Sequence, residues 1–315
     1  MFKKLRHKIA NSLPVLFLIN VSKQLKIPGF EGIPLYFVAS FFIKRIKEGE
    51  LQTRARSLAF SFLLALFPSI IFLFTLIPYI PIDDFQNKLL LLIKTLLPGN
   101  TYIAAYNTIE DIVRHQHSGL LSFGFFFALF VSTDGIMALM RWFNRSYHGK
   151  DNRPVWKQRF LSIGITLLLA LLVILAIVLI IISELIYYYI TSKELLLENI
   201  FHLLLLQIGK WFILITLCFT AISILYFFGP SKREKMKFVT AGSSLATFLL
   251  VATSLGFNYF VTNFGRYNKV YGSIGTLIII LIWLYINSLV MLIGYELNVA
   301  IRKAKDKGAT SLPIQ

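Results

Sequence analysis

The sequence has little charge, few acidic residues and almost no cysteine. Only 15% of its 315 residues are charged, whereas soluble domains have about 25%, and 57% are hydrophobic. This composition excludes a disordered chain and argues against a soluble enzyme. The single cysteine, Cys218, lies inside an apolar run, so neither a disulfide framework nor a thiolate metal cluster can form within the chain.

Motifs for hydrolytic chemistry are also missing. The sequence has no glycine-rich phosphate loop that ends in Lys and Ser or Thr, and no Gly-x-Ser-x-Gly nucleophile elbow. His115 and His117 form the only close histidine pair, and we expect no acidic residue beside them to complete a metal site. We therefore predict no catalytic residues, no metal and no cofactor.

Long apolar runs dominate what is present. A helix needs about 20 apolar residues to cross a hydrocarbon core that is about 30 Å thick. The runs are continuous rather than alternating, which argues against a transmembrane barrel. The sequence predicts an all-α, polytopic membrane protein with six spans, at about 57–82, 118–143, 160–187, 206–229, 238–263 and 271–298.

The basic residues predict the direction of these spans. Of the 32 Lys and Arg, 25 fall in 1–56, 141–159, 232–237 and the segment after 301, on one predicted side. The positive-inside rule then places both termini in the cytoplasm. This placement accounts for most of the net charge of +17 without a nucleic-acid partner. We divide the chain into a basic segment 1–50, a membrane domain 51–302 and a tail 303–315.

Two segments outside the spans are predicted to contact lipid. Residues 33–43 are apolar and precede Lys44, Arg45 and Lys47, which is typical of an amphipathic helix that lies on anionic head groups of the inner leaflet. Residues 83–117 predict a helical hairpin that rests on the outer leaflet or caps the bundle. Small residues on the helix faces are also compatible with a homo-oligomer.

Polar residues inside the spans are the candidate functional positions. Asp134 lies within the second span, and an ionisable group there is costly and usually faces protein or water. It shares a helical face with Ala138 and Arg141, which indicates either a polar path or a structural aspartate. Glu296 either binds a cation or proton, or pairs with the basic rim. The candidate path or gate comprises Asp134, Arg141, Ser243, Thr247, Ser254, Asn258, Asn287, Glu296 and Asn298, although the stripe in the fifth span also suits close helix packing.

Several motifs resemble the YihY/BrkB family of bacterial inner-membrane proteins, once labelled ribonuclease BN. They occupy 54–60, 66–68, 139–147, 259–265, 271–275, 283–285 and 294–298. The matching family positions are Arg54, Pro68, Asn144, Tyr147, Tyr267, Tyr271, Gly272, Trp283, Glu296 and Asn298. Two residues depart from the family pattern: Tyr295 replaces the usual alanine, and Phe248 an expected tryptophan. The resemblance implies six spans and a role as a transporter or lipid exporter.

Three functions compete at this level. The first is a transporter or flippase for an amphiphilic molecule that is lipid-linked or anionic, with membrane lipids as partners. The second is a non-catalytic scaffold in envelope assembly. The third, which the sequence favours least, is an intramembrane lipid-modifying enzyme that uses Asp134 with His115 or His117.

Overall fold

The computed structural model describes residues 20–48, 50–76, 118–147, 151–192, 200–231, 237–263 and 265–306, with isolated positions between 78 and 116. The described residues form no β-strand, which agrees with the predicted all-α class. The long helices are α1 (Leu35–Glu48), α2 (Leu51–Leu76), α3 (Ser118–Tyr147), α4 (Val155–Ser192), α5 (Ile200–Phe228), α6 (Ala241–Asn263) and α7 (Gly265–Asp306).

Five helices in this part of the chain are long and apolar enough to cross a membrane. Their apolar stretches are Leu121–Ser146, Val155–Ser183, Gln207–Phe228, Ala241–Val261 and Leu277–Asp306. They correspond to the second to sixth predicted spans, so the chain has the features of a multi-pass membrane protein. The first predicted span begins within α2, but its last residues lie outside the described ranges, as does most of the predicted hairpin 83–117. Six spans therefore stays a prediction.

Helix α7 extends beyond both ends of the sixth predicted span. It begins at Gly265, so the predicted outer loop before residue 271 is largely helical, and it continues to Asp306, past the predicted boundary at 302. The expected loop rests on charge alone, and residues 266–271 include no proline to stop a helix. Lys303 and Lys305 in the last turn favour the extension because they face the negative end of the helix dipole.

Three aromatic rings join α3, α5 and α7 in the core. Phe143 stacks on Tyr295 with ring centroids 4.0 Å apart, and Tyr226 meets both rings edge-on. The Tyr226 hydroxyl donates a hydrogen bond of 2.6 Å to the carbonyl oxygen of Met291. Tyr295 thus fills the core with a large ring.

Helix α1 packs against the end of α7. Val38 is buried against Leu297 and Ile301. The opposite face of α1 exposes Ile43 and Lys47. The predicted amphipathic segment is therefore helical, and one of its faces contacts protein.

Helix α4 has apolar residues on all sides and, among the described helices, packs mainly against its chain neighbours α3 and α5. Only 6% of the most apolar stretch of this helix is buried inside the protein. An apolar helix with so little protein contact suits a lipid environment, where exposed apolar side chains cost nothing.

Helices α6 and α7 approach closely at two glycines. A methyl group on Gly242 would overlap the carbonyl oxygen of Gly294, and one on Gly294 would lie 2.6 Å from both Ala246 and the Tyr226 hydroxyl. The absence of a side chain at both positions is what lets the two backbones meet.

We expect Gly242→Ala to destabilise the protein by about 1–3 kcal/mol, because overpacking outweighs the gain in helix propensity. The control is Gly256→Ala in the same helix, where an added methyl group meets nothing within 4 Å. The measurement is the temperature at which half of the detergent-purified protein remains monodisperse after heating. Equal temperatures for the two variants would contradict the close approach.

Candidate functional site

A buried carboxylate joins four helices at one end of the bundle. Glu296 in α7 is only 1% exposed. Its Oε1 accepts a hydrogen bond of 2.7 Å from the Ser146 hydroxyl in α3 and lies 3.4 Å from Nη1 of Arg54 in α2. Its Oε2 accepts a hydrogen bond from Nε of Arg45 in α1. Of the two alternatives for Glu296, pairing with the basic rim is the one that this geometry matches.

The two arginines also hold Ser146. Arg45 Nη2 donates to the Ser146 carbonyl oxygen at 2.6 Å, and Arg54 Nη1 donates to its hydroxyl at 2.8 Å. Burial lowers the pKa of the Arg54 guanidinium, and the Glu296 carboxylate opposes that shift. Arg45 and Ser146 could not be identified from the sequence as partners of Glu296. The one indication in the sequence was an acidic residue next to a basic rim, because a buried carboxylate needs cationic partners.

A first cavity of about 550 Å³ opens beside this network, between α2, α3 and the start of α4. Arg141 and Arg145, one helical turn apart on α3, are both exposed at its wall. Its remaining polar lining is Ser57, Ser61, Gln158 and the Asp151 carboxylate, and Met137 and Ala138 supply apolar surface. The first cavity therefore offers two guanidinium groups beside an apolar wall.

Trp142 connects the first cavity to the buried network. Its ring lines the cavity, and the guanidinium groups of Arg54 and Arg145 lie 5.4 and 5.6 Å from the ring centroid. Such contacts are attractive because the ring face is electron-rich. Trp142 therefore lines the cavity and also contacts Arg54, a partner of Glu296.

A second cavity of about 630 Å³ adjoins the first, and Met137 and Val155 line both. It contains Asp134, which accepts a hydrogen bond from Nη1 of Arg159 in α4. The Asp134 side chain is 55% exposed and that of Arg159 is 23% exposed. The predicted face of Asp134, Ala138 and Arg141 therefore follows adjoining cavities, whereas the Arg159 partner was not foreseen.

The polar stripe of the fifth span does not reach these cavities. Ser243 and Thr247 are buried, and Thr247 donates to the Ser243 carbonyl oxygen at 2.8 Å. Ser254 donates to the Leu250 carbonyl oxygen at 2.6 Å, and Asn258 is exposed. Hydroxyl groups bonded to their own helix match the packing alternative, because they need no polar path.

Two asparagines of α7 are engaged in the same way. Asn298 accepts a hydrogen bond of 2.8 Å from the Gly242 amide and donates to the Thr240 hydroxyl at 2.9 Å. Asn287 donates to the Trp283 carbonyl oxygen at 2.7 Å. These residues join α6 to α7 or stabilise α7, and none lines either cavity.

Asn144 connects two interhelical segments. It donates to the Asp151 carboxylate at 2.7 Å and accepts from the Ser231 amide at 2.6 Å. Arg153 pairs with Asp151 and donates to the Gly229 carbonyl oxygen at 2.8 Å. Asn144 thus has a structural role.

The remaining family-motif positions are placed as follows. Trp283 packs on Phe257 with ring centroids 4.8 Å apart, and Pro68 is buried within α2. Helices α3 and α7 include the backbones of Tyr147, Tyr267, Tyr271 and Gly272, whose surroundings lie outside the described part of the structure.

His115 is the described member of the close histidine pair. His115 lies 3.0 Å from the Asp111 carboxylate, and both side chains are exposed. His117 lies outside the described ranges. Within those ranges no three His, Cys, Asp or Glu side chains are grouped so that they could hold a metal ion.

We expect Glu296→Gln to destabilise the fold by about 3–5 kcal/mol, because it leaves buried arginines without their anion. Hydrogen exchange in α1 should rise, since Arg45 loses the acceptor that holds it to α7. The matched control is Glu31→Gln, which removes the exposed pair with Lys305 and should cost less than about 1 kcal/mol. Equal melting temperatures and equal exchange in the two variants would contradict a structural role for Glu296.

Comparison with known proteins identifies relatives. The family described as Virulence factor BrkB matches residues 42–313. The chain is 28% identical over 254 residues to the ribonuclease-like protein YfkH of Bacillus subtilis, an alignment that covers 81% of this chain and 91% of YfkH. It is 25% identical over 274 residues to a UPF0761 membrane protein of Alteromonas mediterranea, covering 86% of this chain and 90% of the relative. No solved structure matches.

Proposed function

The chain belongs to the BrkB family of membrane proteins, and we propose that it is a transporter or flippase for an amphiphilic molecule whose head group is anionic or lipid-linked. We place it in the bacterial inner membrane with both termini in the cytoplasm. The observation that carries the proposal is the first cavity, which presents Arg141 and Arg145 beside apolar surface.

The chemistry of the first cavity suits a phosphate-bearing head group. Its volume of about 550 Å³ lies within the usual range of ligand pockets, about 300–1,000 Å³. Guanidinium groups bind phosphate oxygens in a bidentate way, and Ser57 and Gln158 add neutral polar groups to the lining. The apolar wall at Met137 and Ala138 would receive the start of an acyl chain.

Lateral access also favours a lipid. Helix α4, whose first turns line the first cavity, exposes apolar side chains along its length, among them Leu171 and Ile174. A molecule that diffuses in the bilayer would therefore meet the cavity from the side of α4.

We propose that the ribonuclease wording in the name of YfkH does not extend to this chain. RNA cleavage needs either a metal site or a paired acid and base beside the bound backbone. The first and second cavities contain arginines, one ion pair and Asp151, whose carboxylate is held by Arg153 and Asn144.

A non-catalytic scaffold is the second candidate, and one observation favours it. Glu296, Asn298 and Thr247 find their hydrogen-bond partners within the bundle. If the cavities bind nothing, these residues only hold the helices together, and function would depend on the outer surface.

We expect Arg141→Gln combined with Arg145→Gln to slow translocation of fluorescent phosphatidylglycerol in reconstituted vesicles by about tenfold or more, since charged hydrogen bonds contribute about 1.5–3 kcal/mol each. The control is Arg56→Gln, an exposed arginine of α2 that does not line the cavity. Unchanged translocation in the double variant would exclude the cavity as the route, and a co-purifying partner would then support the scaffold.

The proposed topology has its own test. A green fluorescent protein fused after Gln315 should fluoresce, because that terminus is expected in the cytoplasm. Alkaline phosphatase fused after Asn100 should be active, because the predicted first span would carry this position outside. Inactive phosphatase at this site would contradict the first span.

A further inference from the structure

We propose that the Asp134–Arg159 pair is a second head-group site, selective for phospholipids that carry an amine as well as a phosphate. The inference rests on the proposed function, because the first cavity supplies the entrance. Phosphatidylethanolamine is the simplest lipid with this chemistry, since a two-carbon bridge separates its phosphate from its ammonium group.

The position of the Asp134–Arg159 pair along α3 supports a ligand site. Asp134 lies seven residues before Arg141 on the same helical face, about 10 Å away along α3 at a rise of about 1.5 Å per residue. It belongs to an apolar stretch that is able to cross the membrane. An ion pair at such a depth is costly unless polar partners surround it.

The hydrogen bonding of the pair is incomplete, which also supports a ligand site. Within the described part of the chain, the Asp134 carboxylate accepts one hydrogen bond, which Arg159 donates to Oδ1. The other contacts of the Arg159 guanidinium are the Met137 sulfur and the face of Phe130, 4.0 Å from the ring centroid. More than half of the Asp134 side chain is accessible, so Oδ2 can accept a donor from a ligand.

Charge complementarity limits which ligand fits. A purely anionic head group would gain no partner in Asp134, and a purely cationic one would gain none in Arg159 or the nearby Arg141. A head group with both charges can place its ammonium on Asp134 and its phosphate on Arg159. The cavity of about 630 Å³ is bounded by Trp156, Met137 and Val155, which suit the apolar part of a lipid.

Continuity of the two cavities supplies a route to this site. Met137 and Val155 line both, so a head group that leaves Arg141 and Arg145 meets the Asp134–Arg159 pair next. The second cavity thus lies deeper along α3 than the first.

The test measures lipid binding to the purified full chain by native mass spectrometry, with short-chain phosphatidylethanolamine and phosphatidylglycerol as probes. Asp134→Asn should weaken binding of the ethanolamine lipid by about tenfold, because a charge-assisted hydrogen bond is lost. Binding of the glycerol lipid should stay equal or rise, because Arg159 is released from its partner. An equal loss for both lipids, or no loss, would overturn the inference.

A comparison that uses only the wild-type protein removes the risk that the variant misfolds. Phosphatidylethanolamine acetylated on its amine keeps the phosphate and lacks the ammonium charge. It should bind about tenfold more weakly than the unmodified lipid. Equal binding of the two lipids would overturn the inference whatever the Asp134 variant does.

The two proposals fail separately. If Arg141→Gln with Arg145→Gln leaves binding of both lipids unchanged, the head-group cavity of the proposed function is wrong. If that variant weakens both lipids while the amine makes no difference, the first cavity stands and the second site does not.

Discussion

The Glu296 carboxylate lies inside the bundle, removed from solvent, in an environment where an unpaired charge costs several kcal/mol. Three donors compensate it, and each comes from a different helix: Arg45 from α1, Arg54 from α2 and Ser146 from α3. The requirement to satisfy one charge therefore fixes the relative positions of four helices. Docking of α1 through Val38 adds apolar contact to an arrangement that these polar bonds align.

The same requirement shapes the candidate site. Because Glu296 holds Arg54 in place, Arg54 can contact one ring, that of Trp142, which also contacts Arg145 and lines the first cavity. Arg141 and Arg145 are thus exposed on one side of a cavity wall, and the buried Glu296 network lies on the other side of that wall. A change at Glu296 would reach the cavity through two contacts, without any residue of the cavity being altered.

The apolar helices could be predicted from sequence because membrane insertion depends on local composition, and Asp134 and Glu296 stood out because charge in an apolar run is rare. Their partners could not be predicted, since Arg45 and Glu296 are 251 positions apart and pair only in the folded chain. The stripe of the fifth span suggested a path, yet Thr247 and Ser254 bond to carbonyl groups of their own helix. Periodicity does not reveal which acceptor a hydroxyl uses.

Two carboxylates in apolar helices have opposite surroundings in this protein. Glu296 is 1% exposed and has three donors, so its bonding is complete within the chain and a ligand has nothing to add. The Asp134 side chain is 55% exposed and has one recorded donor, so its charge is only partly compensated by Arg159. In a membrane, such a group gains most from a polar partner supplied from outside. The exposed pair is therefore where binding chemistry is expected, and the buried carboxylate is where the structure depends on charge.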